Sequence, residues 1–211
     1  MTDLGGLDHL VYAAPDLDSG CAAFEALTGV APTFGGAHEG LGTHNALASL
    51  GDKTYLEIVA PQQPTGGNHR WIDYCRSLTE PRLFTFCVRP KTSLDEVARL
   101  STEAGFDGVG PFSMSRVRPD GVALAWHLFS PNPGRFGDLN PFYIDWGQTE
   151  HPARSTRTAG EIVGLSIRHP QHQALADHYT KLGIEGITVS FGDEPSISAT
   201  IETTKGLVTL A

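Results

Sequence analysis

A carboxylate on an apolar stretch is the first residue of this sequence that suggests chemistry. Glu57 lies in the run Tyr55–Ala60, in which all the remaining residues are hydrophobic. An ionised carboxylate buried among such neighbours is costly unless it is paired or bound to a metal ion. On a strand that alternates between two sides, the same glutamate could instead face solvent. Glu57 is therefore our first candidate for metal binding or catalysis.

Three histidines in the same part of the chain are further candidates. The imidazole of His9 suits Zn, Ni, Fe or Mn, and the alternative is a strand histidine satisfied by the backbone. His38 precedes Gly40-Leu41-Gly42, so we expect it in a loop rather than at a metal, although it could act as a general base near neutral pH. His44 and Asn45 must face opposite sides of a strand, so only one of them can enter a site.

Aromatic residues in the second half of the chain could form the walls of a site for an organic substrate. Trp126, Phe142 and Trp146 are the candidates, and His127 beside Trp126 could complete or flank the site. The alternative for each aromatic ring is plain core packing. Arg116 could bind an anionic substrate, although the run 116–121, which contains Asp-Gly, is first of all typical of a β-hairpin turn.

A repeated pattern indicates the elements that must position these residues. An apolar strand, a proline, an amphipathic helix and a glycine follow one another three times, with the prolines at Pro15, Pro90 and Pro170. The pattern predicts helices at about 17–28, 94–104 and 171–182, each followed by a glycine suited to a left-handed C-terminal cap. Leu17, Cys21, Phe24 and Leu27 fall on one face of the first helix, and Ser93–Glu96 is typical of a capping box.

Short strands broken by turns follow each helix, so each unit is predicted to be a βαβββ module. We place module one at residues 1–61 and module two at 82–148, together forming a domain over 1–150, and a third module at 160–211. Residues 62–81 and 151–160 are expected to be connecting loops, the second serving as a linker.

The bulk composition excludes several classes of protein. The chain has 211 residues, of which 40% are hydrophobic, and its formal net charge is −9. Such a charge argues against binding to nucleic acid or to anionic membranes. No signal peptide or membrane span is visible, and three cysteines without CxxC spacing fit a reducing compartment, so we expect a cytoplasmic protein.

Several runs resemble the glyoxalase-like branch of the vicinal oxygen chelate superfamily. They are LDHLVYAAPDL, GAHEGLGTHNALASLGDKTYLEIVAP, RVRPDGVALAWHL and NPFYIDWG followed by His151-Pro152. The resemblance implies an α+β fold in which repeated βαβββ modules form a cupped mixed sheet. It also implies a divalent metal on the floor of the cup, held by the first and last strands of each module, that chelates two vicinal oxygens of the substrate.

The resemblance suggests His9, Glu57 and Asp145 as metal ligands. His9 takes the first-strand position of module one and Glu57 the last-strand position, and Asp145 aligns with Glu57 when 143–145 is placed on 55–57. The alternative for Asp145 is a cap on the following loop. Phe84 and Gly164 stand at the His9 position of the other modules, so the four-ligand set of glyoxalase I is incomplete. One histidine with two carboxylates suits Mn or Fe(II) slightly better than Zn.

Three hypotheses about function follow. The first is a metal-dependent enzyme, a lyase, isomerase or dioxygenase, that acts on a small oxygenated substrate with Glu57 and His38 as catalytic residues. Its substrate-binding residues would be Asn45, Trp126, His127, Phe142 and Trp146. The second is a metal-free protein that binds a small molecule, as the drug-sequestering resistance proteins of this superfamily do. The third is a structural module, and a homodimer is plausible because sheets in this superfamily often pair across subunits.

Overall fold

The first strand–helix–strand unit occupies the N-terminal part of the chain. A computed structural model of the protein describes residues 6–38, 40–62, 70–118 and 121–211. The first unit consists of β1 (Leu7–Ala13), α1 (Leu17–Thr28), β2 (Thr33–His38), β3 (Thr43–Ser49) and β4 (Tyr55–Pro61). A helix, α2 (Arg70–Ser77), separates it from the second unit.

The second and third units repeat the same order of elements. The second consists of β5 (Arg82–Val88), α3 (Leu94–Glu103), β6 (Gly108–Val117), β7 (Ala123–Pro131) and β8 (Phe142–Asp145), with a 3₁₀ segment at Gly134–Leu139. The third consists of β9 (Glu161–His169), α4 (His172–Lys181), β10 (Ile187–Phe191), β11 (Ser196–Thr203) and β12 (Gly206–Leu210). The repeated βαβββ pattern expected from the sequence is confirmed.

Two sheets organise these strands. The first two units share one mixed eight-stranded sheet of order β2-β3-β4-β1-β5-β8-β7-β6, joined where β1 and β5 pair antiparallel. The third unit forms its own four-stranded sheet of order β10-β9-β11-β12. The large sheet is curled into a half-barrel, so the expected α+β fold with a cupped mixed sheet is confirmed.

The helices are bounded by the local signals that the sequence contains. Ser93 accepts a hydrogen bond from the Glu96 amide at the start of α3, and Gly29 ends α1 in the left-handed conformation at φ 81°. One expectation is wrong: Leu27 is 40% exposed, and the buried face of α1 runs through Gly20 and Thr28 instead. A methyl group on Gly20 would come within 2.6 Å of Ile58 on β4, so this glycine allows the helix to pack closely.

The side chains of the large sheet divide between its two faces. On one face, Leu10 and Tyr12 of β1 and Leu56 and Ile58 of β4 join the main core with Phe24 of α1. The opposite, concave face carries the alternate residues of the same strands, among them His9 and Glu57. Because alternate residues of a strand face opposite sides, the apolar residues in contact with the helices fix which side chains enter the concave face.

Both segments expected to be loops contain ordered structure. Residues 62–81 include α2, whose Ile72 and Cys75 are buried, while 63–69 lie outside the described residues. The supposed linker 151–160 forms a 3₁₀ turn at Pro152–Arg154 and pairs with Ser49 of β3 through Thr158. Of the turn between β6 and β7, Pro119 and Asp120 are likewise outside the described residues.

No helix in the described ranges is long and apolar enough to cross a membrane.

Candidate functional site

The concave face of the eight-stranded sheet encloses a cavity of about 360 Å³, which we call the cup. Its walls differ in chemistry. The polar wall consists of His9, His38, Thr43, Asn45 and Glu57 from the first unit, with Arg116 on β6 across from them. The apolar wall consists of Met114, Trp126, Leu128, Phe142, Ile144 and Trp146 from the second unit.

Glu57 is the central polar residue of the cup. It is 7% exposed, and its Oε1 accepts a hydrogen bond of 2.6 Å from Asn45 Nδ2. His38 Nε2 lies 3.3 Å from Oε1, and His9 Nε2 lies 3.6 Å from Oε2. Burial alone raises the pKa of this carboxyl, but His38 and His9 in their protonated forms, together with Asn45, outweigh it and lower the pKa to about 2. Glu57 is therefore ionised at neutral pH.

A local irregularity in β1 positions His9. The pairing of β1 with β5 shifts register between Leu7 and His9, and such an irregularity can re-aim a side chain. Asp8 Oδ1 lies 2.8 Å from His9 Nδ1, and the imidazole stacks on Tyr55 with ring centroids 4.5 Å apart. With Nδ1 bound to Asp8, the remaining nitrogen of His9 faces Glu57.

Asp8 is fully buried and holds several side chains of the floor together. Trp146 Nε1 donates to both of its oxygens at 3.2 and 3.3 Å, and His151 Nε2 lies 3.1 Å from Oδ2. Arg89 lies 3.6 Å from Oδ2. Burial raises the pKa of Asp8, but the hydrogen bonds with His151 and His9 outweigh it and hold the pKa below its usual value.

Neither Asp8 nor His151 was predicted as a site residue. Strict alternation along β1 would place the Asp8 side chain on the face opposite to His9. The register shift near Leu7 and His9 alters that alternation, and it cannot be recognised from the sequence. His151 lies in the segment expected to be a linker. The signals available were the Asp8-His9 pair itself and the His151-Pro152 pair at the end of a resemblance run.

His38 is the last residue of β2 and not a loop residue, which corrects the expectation. Its Nδ1 lies 2.8 Å from Thr43 Oγ1, and its Nε2 lies 3.0 Å from Asn45 Nδ2. Arg116 Nη1 donates to Asn45 Oδ1 at 3.4 Å, so the other amide atom of Asn45, Nδ2, points towards His38 and Glu57. Asn45 thus faces the cup, while His44 lies on the other side of β3, as alternation predicts.

The hydrogen-bond partners assign the imidazole tautomers. The Asn45 amide donates to His38 Nε2, so the neutral ring carries its proton on Nδ1, towards Thr43. A neutral His9 that donates from Nδ1 to Asp8 likewise has a free lone pair on Nε2. Both lone pairs lie beside the ionised carboxylate of Glu57, an arrangement of three electron-pair donors that a cation would stabilise.

His9, His38 and Glu57 are not the tightest cluster of ligand-type atoms in the described part of the chain. Within the described ranges, only Asp8, His9 and Cys87 bring three such atoms within 4.8 Å of one another. Both Asp8 oxygens already accept hydrogen bonds, and burial raises the pKa of the Cys87 thiol well above its usual value. Asp8 therefore has the geometry of a residue that orients a ligand rather than of a ligand.

Asp145 and His127 lie outside the cup, which corrects the expected metal and substrate sets. They are register partners on β8 and β7, both exposed, on the face opposite to Trp126 and Trp146. The Asp145 carboxylate accepts a hydrogen bond of 2.9 Å from the Gly147 amide, so it caps the following turn, as its alternative interpretation predicted. The residues of β8 that face the cup are Phe142 and Ile144.

The predicted aromatic residues do lie together in the cup. Trp126 and Trp146 are within 5.4 Å of each other by ring centroid, and Phe142 meets the His9 ring edge-on at 5.3 Å. Trp71 of α2 also lines the cavity, so all three tryptophans of the chain do. Sequence reasoning missed Trp71 because it lies in the segment that was expected to be a loop.

Arg116 and Gly35 lie where β6 and β2 approach each other. A methyl group on Gly35 would come within 2.3 Å of Asn45 Oδ1 and 2.7 Å of Arg116 Nη1, so only glycine leaves room for both. Arg116 has no ion pair with any residue in the described part of the chain, and burial lowers its pKa. Its positive charge is therefore available to an anionic group in the cup.

Comparison with known proteins agrees with this architecture. The model of the family described as "Glyoxalase-like domain" matches residues 7–183. A hypothetical protein from Staphylococcus aureus is similar over 97% of this chain and 98% of its own, with a TM-score of 0.68 and 13% identity.

Two structures of methylmalonyl-CoA epimerase are similar over 70% of this chain. The Mycobacterium tuberculosis enzyme is covered over 92% of its length, with a TM-score of 0.50 and 19% identity. A variant of the Streptomyces coelicolor enzyme in complex with 2-nitronate-propionyl-CoA is covered over 99%, with a TM-score of 0.51 and 16% identity. Identities this low indicate a shared fold alone. No curated protein sequence matches the chain. The family match nevertheless covers most of the chain, which belongs to the glyoxalase-like domain family.

Proposed function

We propose that this protein is an enzyme that depends on a divalent metal and acts on a small oxygenated organic molecule in the cup. One observation carries the proposal. Two imidazole lone pairs, on His9 Nε2 and His38 Nε2, lie 3.6 and 3.3 Å from the oxygens of an ionised, buried carboxylate, Glu57. Three such donors repel one another unless a cation is present.

His9, Glu57 and His38 would hold the metal. Two ligands that each lie about 2.1 Å from an ion are at most about 4.2 Å apart, and both measured separations are below that limit. The ligand atoms of His9, His38 and Glu57 do not all lie within 4.8 Å of one another, so a single ion requires the two imidazoles to move towards each other. Two histidines and one carboxylate with open positions are typical of Fe(II) sites, and Mn has similar ligand preferences.

The other residues of the cup would position the substrate. A metal supplies a Lewis acid for two vicinal oxygens. The apolar wall of Trp126, Phe142 and Trp146 excludes water and packs against the organic part of the molecule, and Arg116 binds an anionic group on it. Asp8 keeps the His9 proton on Nδ1, so that Nε2 stays free. Lyase, isomerase and ring-cleaving dioxygenase chemistry are all compatible with these roles.

A metal-free binding protein is the second candidate, and the apolar wall favours it. In the superfamily, ligands are expected from both modules, whereas the side chains that the second unit places in the cup are mainly apolar, apart from Arg116 and Ser130. The two candidates differ in whether the cup retains a metal.

Metal content measured by mass spectrometry tests the proposal, on tag-free protein purified without chelators. We expect about one equivalent of Mn, Fe, Ni or Zn in the unaltered protein, and its loss in Glu57→Gln, His9→Asn and His38→Asn. His44→Asn is the matched control, because His44 is next to Asn45 but on the other side of β3. It should retain the metal.

Two results would contradict the proposal. One is folded protein that contains no metal and binds none of these ions more tightly than about 1 mM. The other is metal that persists in Glu57→Gln. The first would favour the metal-free binding protein, and the second would move the metal site elsewhere.

A further inference from the structure

A second cavity, of about 540 Å³, lies between the two sheets and does not overlap the cup. Its walls come from the start of β5, the 3₁₀ segment Gly134–Leu139, and the third unit at the end of β9 and the start of β11. The polar residues among them are Tyr74, Arg82, Arg135, Asp138, His169 and Ser196. The apolar ones include Phe84, Phe136, Leu139 and Ile197.

The third unit fixes the wall of this seam cavity. His178 Nε2 of α4 lies 2.9 Å from Asn140 Oδ1, and the Tyr179 hydroxyl donates to the Leu139 carbonyl. Both bonds are buried, and they tie the end of the 3₁₀ segment to α4. The seam cavity is therefore a feature of the folded chain and not a gap between loosely placed parts.

Two arginines line the seam cavity without a carboxylate partner among the described residues. Arg135 is held by stacking, since its guanidinium lies 4.7 Å from the Phe136 ring centroid and 5.3 Å from that of Phe106. Arg82 forms no ion pair in the same described ranges, whereas Arg70 pairs with Asp138 at the rim and neutralises it. In a chain of net charge −9, two such arginines beside one cavity favour an anionic ligand.

His169 adds a buried hydrogen-bond donor. The residue is 4% exposed, and its Nδ1 accepts a hydrogen bond of 2.9 Å from the Gln171 amide. A neutral ring that accepts at Nδ1 carries its proton on Nε2. That N–H has no partner in the part of the chain that the structure describes, and the ring lines the seam cavity, so it can donate to a ligand.

We propose that the seam cavity binds a small organic carboxylate. Arg82, Arg135 and His169 would bind the carboxylate group, since guanidinium groups match its two oxygens. The apolar part of the ligand would pack against Phe84, Leu139 and Ile197. This inference is independent of the chemistry in the cup, and it gives the third unit a role, because His169 and Ile197 both belong to it.

Isothermal titration with benzoate tests the site, with neutral benzamide as the control for charge. We expect the unaltered protein to bind benzoate and not benzamide. Arg82→Gln and Arg135→Gln should each raise the benzoate Kd by about tenfold or more. Arg116→Gln removes the arginine of the cup, and Arg154→Gln removes an exposed arginine elsewhere. Both should leave the Kd unchanged.

Circular dichroism would verify that each variant is folded, and Arg82→Gln is decisive if Arg135→Gln unfolds, because Arg82 has no stacking partner in the described residues. Benzoate, hexanoate and phthalate that all fail to bind at about 10 mM would overturn the proposal. So would benzoate binding that is lost in Arg116→Gln and kept in Arg82→Gln, since the ligand would then lie in the cup. Neither result bears on metal retention by Glu57, so the two proposals fail separately.

Discussion

The two walls of the cup have the same strand architecture and opposite chemistry. The first unit places His9, His38, Asn45 and Glu57 on the concave face, whereas the second places Trp126, Phe142, Ile144 and Trp146 there. A repeated fold thus does not require a repeated site. Because the backbone of each unit is fixed by the residues packed against the helices, the residues facing the cup are free to differ.

Glu57 and Asp145 show how this difference arises at single positions. Each is the third residue of a Tyr-x-acid run in the last strand of its unit. Tyr55 faces the cup and Glu57 does too, whereas Tyr143 packs in the main core and Asp145 faces solvent. The two strands are out of phase by one residue, and in a strand a shift of one residue exchanges the faces.

The largest difference between the two units is expected in the unfolding free energy when a carboxylate of each is neutralised. Asp8 is the carboxylate of the first unit, and Asp145 of the second unit is its matched control. Asp8→Asn leaves His9, His151 and Arg89 without a charged acceptor in a buried position, which should cost about 3–5 kcal/mol of unfolding free energy. Asp145→Asn changes an exposed cap and should cost less than about 0.5 kcal/mol. Urea unfolding followed by circular dichroism measures both.

The same pair tests the metal proposal. If Asp8 orients His9, Asp8→Asn should weaken metal binding by about 10- to 100-fold, while Asp145→Asn should leave it unchanged. A stable Asp8→Asn variant, or equal losses in the two variants, would mean that the carboxylates of the two units are not used differently.

The accuracy of sequence reasoning depended on whether the determining contacts are local. The helix over 17–28 was predicted with the bounds that it has, because its periodicity and its capping glycine lie within the helix itself. The face that Asp145 occupies was not predicted, because a short strand offers two phases and only packing selects one. Asp8 and His151 were missed because their hydrogen bond joins residues 143 positions apart.

A second effect, of about 3 kcal/mol, is expected from a buried histidine that has no carboxylate beside it among the described residues. His178 of α4 is bonded to Asn140, and burial, with help from Arg135 and Lys181, lowers its pKa to about 4 from 6.5. Between these values the unfolded chain binds a proton that the folded chain does not, so stability falls as the pH falls from 6.5 to 4. The shift corresponds to about 3 kcal/mol.

His178→Gln keeps a donor for Asn140 and has no proton to gain. Urea unfolding at several pH values should therefore show that the variant loses about 3 kcal/mol less than the unaltered chain between pH 6.5 and 4. Parallel curves for the two proteins would contradict the expected pKa.

The smallest effect, about 1 kcal/mol, is expected from the apolar wall. Phe142→Leu removes an aromatic ring that contacts His9 and Trp71, and it should weaken the binding of a neutral aromatic such as coumarin by about fivefold without loss of metal. Quenching of tryptophan fluorescence reports this binding, because all three tryptophans line the cup. Phe191→Leu, an exposed change in β10, should leave the Kd as it is. An apolar wall that only contacts ligand cannot affect the retention of a metal ion. If Phe142→Leu lost the metal, as Glu57→Gln is expected to, the second unit would also support the polar site.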